Sequence, residues 1–138
     1  MYTGLLHLHS YLPFLVFLMI FVVLLNSLRG WLTKTPFDKF SNKFVLISMI
    51  LIHVQWTVGA VLYFVSPNVK SMGEAMGDSL SRLYALEHPL LMTVALVFIT
   101  IARSKSKKSD ESKHHKMNFI FFALALACIL LCLPPSWL

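Results

Sequence analysis

Six histidines occur in this 138-residue chain, and four of them, His7, His9, His53 and His88, stand in or at the edge of long apolar runs. An ionisable side chain in hydrocarbon is costly and is usually kept for chemistry or for a buried hydrogen bond. Neutral imidazole is a good ligand for iron, copper and zinc. A single membrane histidine is often a hydrogen-bonded packing group. Three apolar runs that each carry one predict that at least two of these residues bind a metal or cofactor, with structural or proton-handling roles as the rival reading. The other pair, His114-His115, falls in a Ser/Lys-rich stretch and reads as part of a solvated connector, because two adjacent loop histidines make a poor metal site alone. Cys128 and Cys132 are the only cysteines. Spaced i,i+4 on one helix, they are too far apart for an easy disulfide and read as small buried hydrophobes, with a soft Cu(I) site as the lesser alternative.

The elements that must position these groups are four apolar runs, at about 5–28, 44–65, 80–102 and 117–133. Each is near the ~20 residues that cross a ~30 Å hydrocarbon core. Nothing alternates as a barrel strand would. The expected fold is all-α, a polytopic membrane protein built as a four-transmembrane-helix antiparallel bundle, with residues 1–138 forming one membrane domain. Hydrophobic residues make up 57% of the chain and charged residues 13%, about half the charged share of a soluble domain. The net charge of +6 does not indicate nucleic acid, because the charges are segregated. Ten of the 12 Lys and Arg residues lie in the stretches 29–43 and 103–116, and only Lys70 and Arg82 lie in the connection between the second and third runs. By the positive-inside rule both basic loops are cytoplasmic and both termini lie outside. The localisation expected is a bacterial inner (cytoplasmic) membrane, with the lipid bilayer as the first partner. No basic n-region or small-residue cleavage site marks the first run as a signal peptide. Tyr2, Tyr11, Tyr63, Tyr84 and Trp137 read as outer interfacial anchors and Trp31 as an inner one. Ser71 and Glu74 form a capping-box pattern, predicting a short helix that runs into the third span.

Helical periodicity chooses between the histidines of the first run. His7 shares a stripe with Tyr11, Phe14, Leu18, Phe21 and Leu25, bulky residues suited to lipid. His9 shares one with Pro13, Val16, Ile20 and Val23, close to Asn26, and should face the interior. In the second run His53 aligns with Met49, Trp56, Thr57, Ala60 and Tyr63. Gly59 and Ala60 permit close approach of a neighbouring backbone or a flat ring. In the third, Pro89 removes the helical donor to the carbonyl of Ala85, and in the first Pro13 does the same to the carbonyl of His9. Depth was gauged from the basic residues at ~1.5 Å per residue, which places His53 ~15 Å, His88 ~22 Å and His9 ~30 Å above the cytoplasmic edge. His9 and His53 are then too far apart to share an ion. His88 can pair with either, which makes it the central residue.

Two histidines from different helices around one iron is the usual b-type haem arrangement, and a four-helix bundle offers an apolar slot for the ring. Haem b is therefore the expected cofactor, with His88 as one axial ligand, His53 or His9 as the other, and Arg82 as a cation for a propionate on the outer side. Zinc and copper fit less well, since the only nearby carboxylate is Glu87.

The segments Leu5-Leu6-His7-Leu8-His9-Ser10, His53-Val54-Gln55 with Gly59 and Tyr63-Phe64-Val65-Ser66-Pro67, and Glu87-His88-Pro89 resemble small bacterial four-helix membrane proteins of the cytochrome b-like type. The likeness covers most of the chain. It extends more loosely to cytochrome b561-type proteins, copper-resistance D-type proteins and haem-containing protoporphyrinogen oxidases. The resemblance implies b-haem binding and electron transfer, with quinone or a partner complex as the redox partner. The chain lacks the paired same-helix histidines of two-haem cytochromes b, so one haem is implied. Other classes fit the same residues. One is a cofactor-free accessory subunit of a larger membrane complex or homo-oligomer, docking through the Ala123/Ala127 face of the last helix. Another is a haem-dependent oxidoreductase acting on a porphyrinogen. No serine or cysteine stands beside a base as in a hydrolase.

Overall fold

The computed structural model describes residues 1–108 and 111–137, with the backbone alone at Trp137, so the anchoring role read for that side chain lies outside the described residues. Four long helices carry the fold: α1 (Tyr2–Thr33), α2 (Lys39–Val65), α3 (Ser79–Ser106) and α4 (Lys113–Leu131). All four are long and apolar enough to cross a membrane. Neighbours pack in a closed square, α1 on α2, α2 on α3, α3 on α4 and α4 on α1, which sets α1 and α3 on one diagonal. No strand occurs among the described residues. The protein is an all-α polytopic membrane protein, an antiparallel four-helix bundle with both basic connections at one end.

The helices outrun the apolar stretches at that basic end. Apolar composition measures the hydrocarbon, whereas a helix continues until a local signal stops it. After α1 that signal is Lys34, in the left-handed conformation at φ 53°, followed two residues later by Pro36. Helix α2 starts at an N-cap, with the Asp38 carboxylate accepting from the Ser41 N–H at 2.8 Å. Backbone and side-chain hydrogen bonds from Ser41 hold the Asp38 carboxyl below its ordinary value. At the other end α4 stops at Leu131, before Pro134-Pro135. The short helix read at Ser71 and Glu74 forms as a single turn, Met72–Ala75, with Ser71 at its N-cap and Glu74 inside it. The Ser71 hydroxyl bonds the Glu74 carboxylate at 2.7 Å instead of a backbone N–H, and the turn does not continue into α3. Helix α3 has its own N-cap, Asp78, which accepts from both the N–H and the hydroxyl of Ser81.

Buried positions recur in steps of three and four, the spacing of a coiled-coil seam. They are Val16, Ile20, Val23, Ser27 and Gly30 on α1, and Asn118, Phe122, Ala125 and Ile129 on α4. The opposite face of α1, with Phe14, Leu18, Phe21 and Leu25, is exposed, as its bulk predicted. At the basic end Asn26 donates to Ser41 at 2.8 Å, and Arg103 donates to the side chain and carbonyl of Asn42. The sequence reading of His114-His115 as solvated is overturned. Both are buried, and Phe37, with no exposed surface, packs edge-on against the two rings. Helix α4 begins before them, so they enter the bundle instead of the connector.

Candidate functional site: a histidine layer at the outer end

His9 and His88 meet across the diagonal of the bundle. Their ring centroids are 6.2 Å apart and their planes cross at 74°. Each is aimed by contacts from the two remaining helices, so all four helices build this layer.

His9 is seated on α2. A Cβ on Gly59 would lie 2.7 Å from His9 Cε1, so the glycine makes room for the imidazole. The Gln55 amide then holds it. Its Nε2 donates to the His9 carbonyl at 2.9 Å and to His9 Nδ1 at 3.1 Å. The His9 carbonyl can only accept, so the amide nitrogen must face this side. His9 Nδ1 is therefore the acceptor and Nε2 carries the proton. The carbonyl in question is the one that Pro13 deprives of its helical donor. Gln55 replaces the missing bond.

His88 is seated on α4. Its Nδ1 lies 3.0 Å from the carbonyl of Cys132. A carbonyl only accepts, so Nδ1 carries the proton and the lone pair is on Nε2. Cys132 follows the last turn of α4, where helix carbonyls lack internal donors. The Cys132 thiol is free, as is that of Cys128, and donates back to the Cys128 carbonyl at 3.1 Å.

Pro89 acts as Pro13 does. The Ala85 carbonyl, without a helical donor, accepts from Tyr63 Oη on α2 at 3.0 Å. Helix α3 accommodates the proline with a π-turn over Leu83–Glu87, in which the His88 N–H bonds to the carbonyl of Leu83. Tyr63, near the outer end of α2, thus spends its hydroxyl on α3. About two turns further in, Trp56 Nε1 donates to Thr93 at 2.9 Å.

The remaining sequence candidates stand elsewhere. His53 donates its Nδ1–H to the Met49 carbonyl on its own helix at 2.7 Å. It lines an open groove of about 400 Å³ with Leu96, Thr100 and Lys105, toward the basic end of α3. The structure does not bring it to His88. Arg82 pairs with Glu87 at 2.8 Å, both about two-fifths exposed, so its guanidinium already has a carboxylate partner. His7 is exposed and stacks with Tyr11. Among the described residues no cluster of three or more His, Cys, Asp or Glu could hold a metal ion by protein ligands alone.

The depth estimate left His88 to pair with either His9 or His53, with His9 ~8 Å above it, because its zero on α1 was set too close to the basic end. Asn26 bonds to Ser41 and Asn42 to Arg103, so Asn26, not Arg29, is level with Arg103. From those levels His9 and His88 rise ~25 Å and ~22 Å at the helical rise, a difference of under one turn. Gln55 is the residue of this layer that the histidine pattern missed. Its signal was a lone amide in an otherwise apolar run. No family model, no curated protein and no solved structure matches this chain.

Proposed function

We propose that this protein is a small b-type cytochrome of a bacterial inner membrane, with its basic loops in the cytoplasm. One haem b would be held between His88 and His9, and electrons exchanged with quinone or a partner complex. The observation that carries the reading is the diagonal His9–His88 pair. With centroids 6.2 Å apart the two imidazoles stand near enough for one iron to be shared between them. His88 fits the role by its donor chemistry. A ligating histidine commonly gives its other N–H to a carbonyl, which fixes the tautomer and raises basicity, and Cys132 supplies that carbonyl. His9 fits on one condition, that Gln55 gives up Nδ1 and Nε2 loses its proton. Bound haem would supply a one-electron couple. The chain's own part is to seat the two rings, using Gly59 and the C-terminal end of α4, and to keep the layer within an apolar bundle.

A second reading rests on the Gln55 bond itself. With His9 Nδ1 satisfied by an amide, the two histidines serve as interhelical ties in a cofactor-free subunit of a larger complex. An absorption spectrum of protein purified from haem-replete membranes separates the two. The cytochrome reading expects a Soret band that His88→Ala abolishes. A colourless wild type that co-purifies in fixed ratio with other subunits supports the second.

A further inference from the structure

At the basic end, the α1/α4 seam holds a second polar layer. His115 lies flat on Gly30, where a Cβ would come within 2.3–2.4 Å of three ring atoms. That contact fixes the register of two antiparallel helices. Three residues further into the bundle from Gly30 is Ser27, and three further in from His115 is Asn118. Both rise ~4.5 Å from the same contact, which sets them opposite each other at one depth. Their seam positions agree with this, since Ser27 is 1% exposed and Asn118 has no exposed surface.

Three atoms of this layer are buried without a hydrogen-bond partner: Ser27 Oγ, His115 Nδ1 and Asn118 Oδ1. Their chemistry is fixed by what their neighbours do. His115 Nε2 donates to the Pro36 carbonyl at 3.1 Å, so Nδ1 is an acceptor. Asn118 Nδ2 donates to the His114 carbonyl at 2.8 Å, so Oδ1 is an acceptor. The Ser27 hydroxyl both donates and accepts. A buried polar atom left unpaired costs ~1–3 kcal/mol, and three in one layer call for a shared hydrogen-bonding partner.

We infer that this layer binds one neutral water molecule as a fixed part of the fold, donating to His115 Nδ1 and Asn118 Oδ1 and accepting from Ser27 Oγ. Two acceptors and one donor match the two protons and the lone pair of water. Three partners is also the usual count for a buried water. A cation is disfavoured, because neither α1 nor α4 carries an acidic residue, the Asp38 carboxylate that acts on His115 is exposed and engaged by Ser41, and an unpaired buried charge costs several kcal/mol. The water bridges α1 to α4 where direct packing leaves a polar gap, and it holds the ring that seals the Pro36 connection.

The test is a crystal structure of the full chain in a lipidic phase at about 2 Å or better. The inference expects one peak at ~2.7–3.2 Å from all three atoms. A dry seam with Ser27 bonded directly to Asn118, or a peak at metal-like ~2.0–2.4 Å distances, would overturn it. Ser27→Ala gives a readout without crystals. Loss of one water partner lowers the melting midpoint by about 3–5 °C. An unchanged or raised midpoint contradicts the bridge, since removing an unpaired buried hydroxyl relieves a cost.

Discussion

Gln55 on α2 donates from one amide nitrogen to both the carbonyl and the ring Nδ1 of His9 on α1. One side chain thereby replaces the backbone donor that Pro13 removes and sets the tautomer of a candidate ligand. Gln55→Leu leaves both acceptors bare and should cost ~1–3 kcal/mol, read as a fall in thermal midpoint in detergent. The same change frees His9 Nδ1 to bear the proton. In the cytochrome reading, haem occupancy should therefore fall less than stability. A parallel fall in both would show that Gln55 aims the ligand as well as bracing the helix.

Tyr63 performs the matching service for Ala85, the carbonyl opened by Pro89. Tyr63→Phe should cost ~1 kcal/mol. Pro89→Ala restores the helical N–H. Once that donor is present, removing the hydroxyl should matter less, so the double variant should be less destabilised than the two single changes combined. Strict additivity would mean the two residues do not serve the same carbonyl.

The two glycines that seat histidines should resist enlargement unequally. Gly59→Ala places its Cβ 2.7 Å from a single atom of the His9 ring, whereas Gly30→Ala meets three atoms of His115 at 2.3–2.4 Å. Overpacking of this kind costs ~1–3 kcal/mol. Thermal melts should rank Gly30→Ala as the more damaging, and Gly4→Ala, which has open space around it, as harmless.

Asp38 caps α2, and its carboxyl is held low by the Ser41 hydrogen bonds. A lowered folded pKa means a contribution fully present above the unfolded value, ~3.9, and lost as pH falls through the lower folded value. Asp38→Ala should cost ~0.5–2 kcal/mol at neutral pH. Its deficit against wild type should be flat from pH 7 to 5 and narrow only under acid. Asp38→Asn keeps a neutral cap but also lacks the titrating carboxylate, so it should start from a smaller deficit at neutral pH and move with pH in the same direction.

The bundle was legible in the sequence because charge segregation and apolar length act over whole helices. So was the inward face of α1, since Val16, Ile20 and Val23 are slim where Phe14, Leu18 and Phe21 are bulky. The partnership of the site was not legible. It depends on Asn26, rather than Arg29, being level with Arg103, and that level is set by a tertiary hydrogen bond to Ser41. His53 has the same residue type and apolar context as His88, yet turns its Nδ1–H onto its own helix. The proline-opened carbonyls of His9 and Ala85 could be foreseen from sequence, but not the α2 side chains that close them. His114 and His115 were misplaced because the run of lysines around them hid a helix that starts at Lys113.

The proposed cofactor site is made by His9 and His88, and not by His53. The most direct measurement is the haem-to-protein ratio of purified wild type, His9→Ala, His53→Ala and His88→Ala, each checked for folding by thermal melt. About one haem per chain is expected in wild type and in His53→Ala, with loss in the other two. Wild-type protein from haem-replete cells that carries no iron, or a His53→Ala variant that loses haem while His9→Ala keeps it, would contradict it.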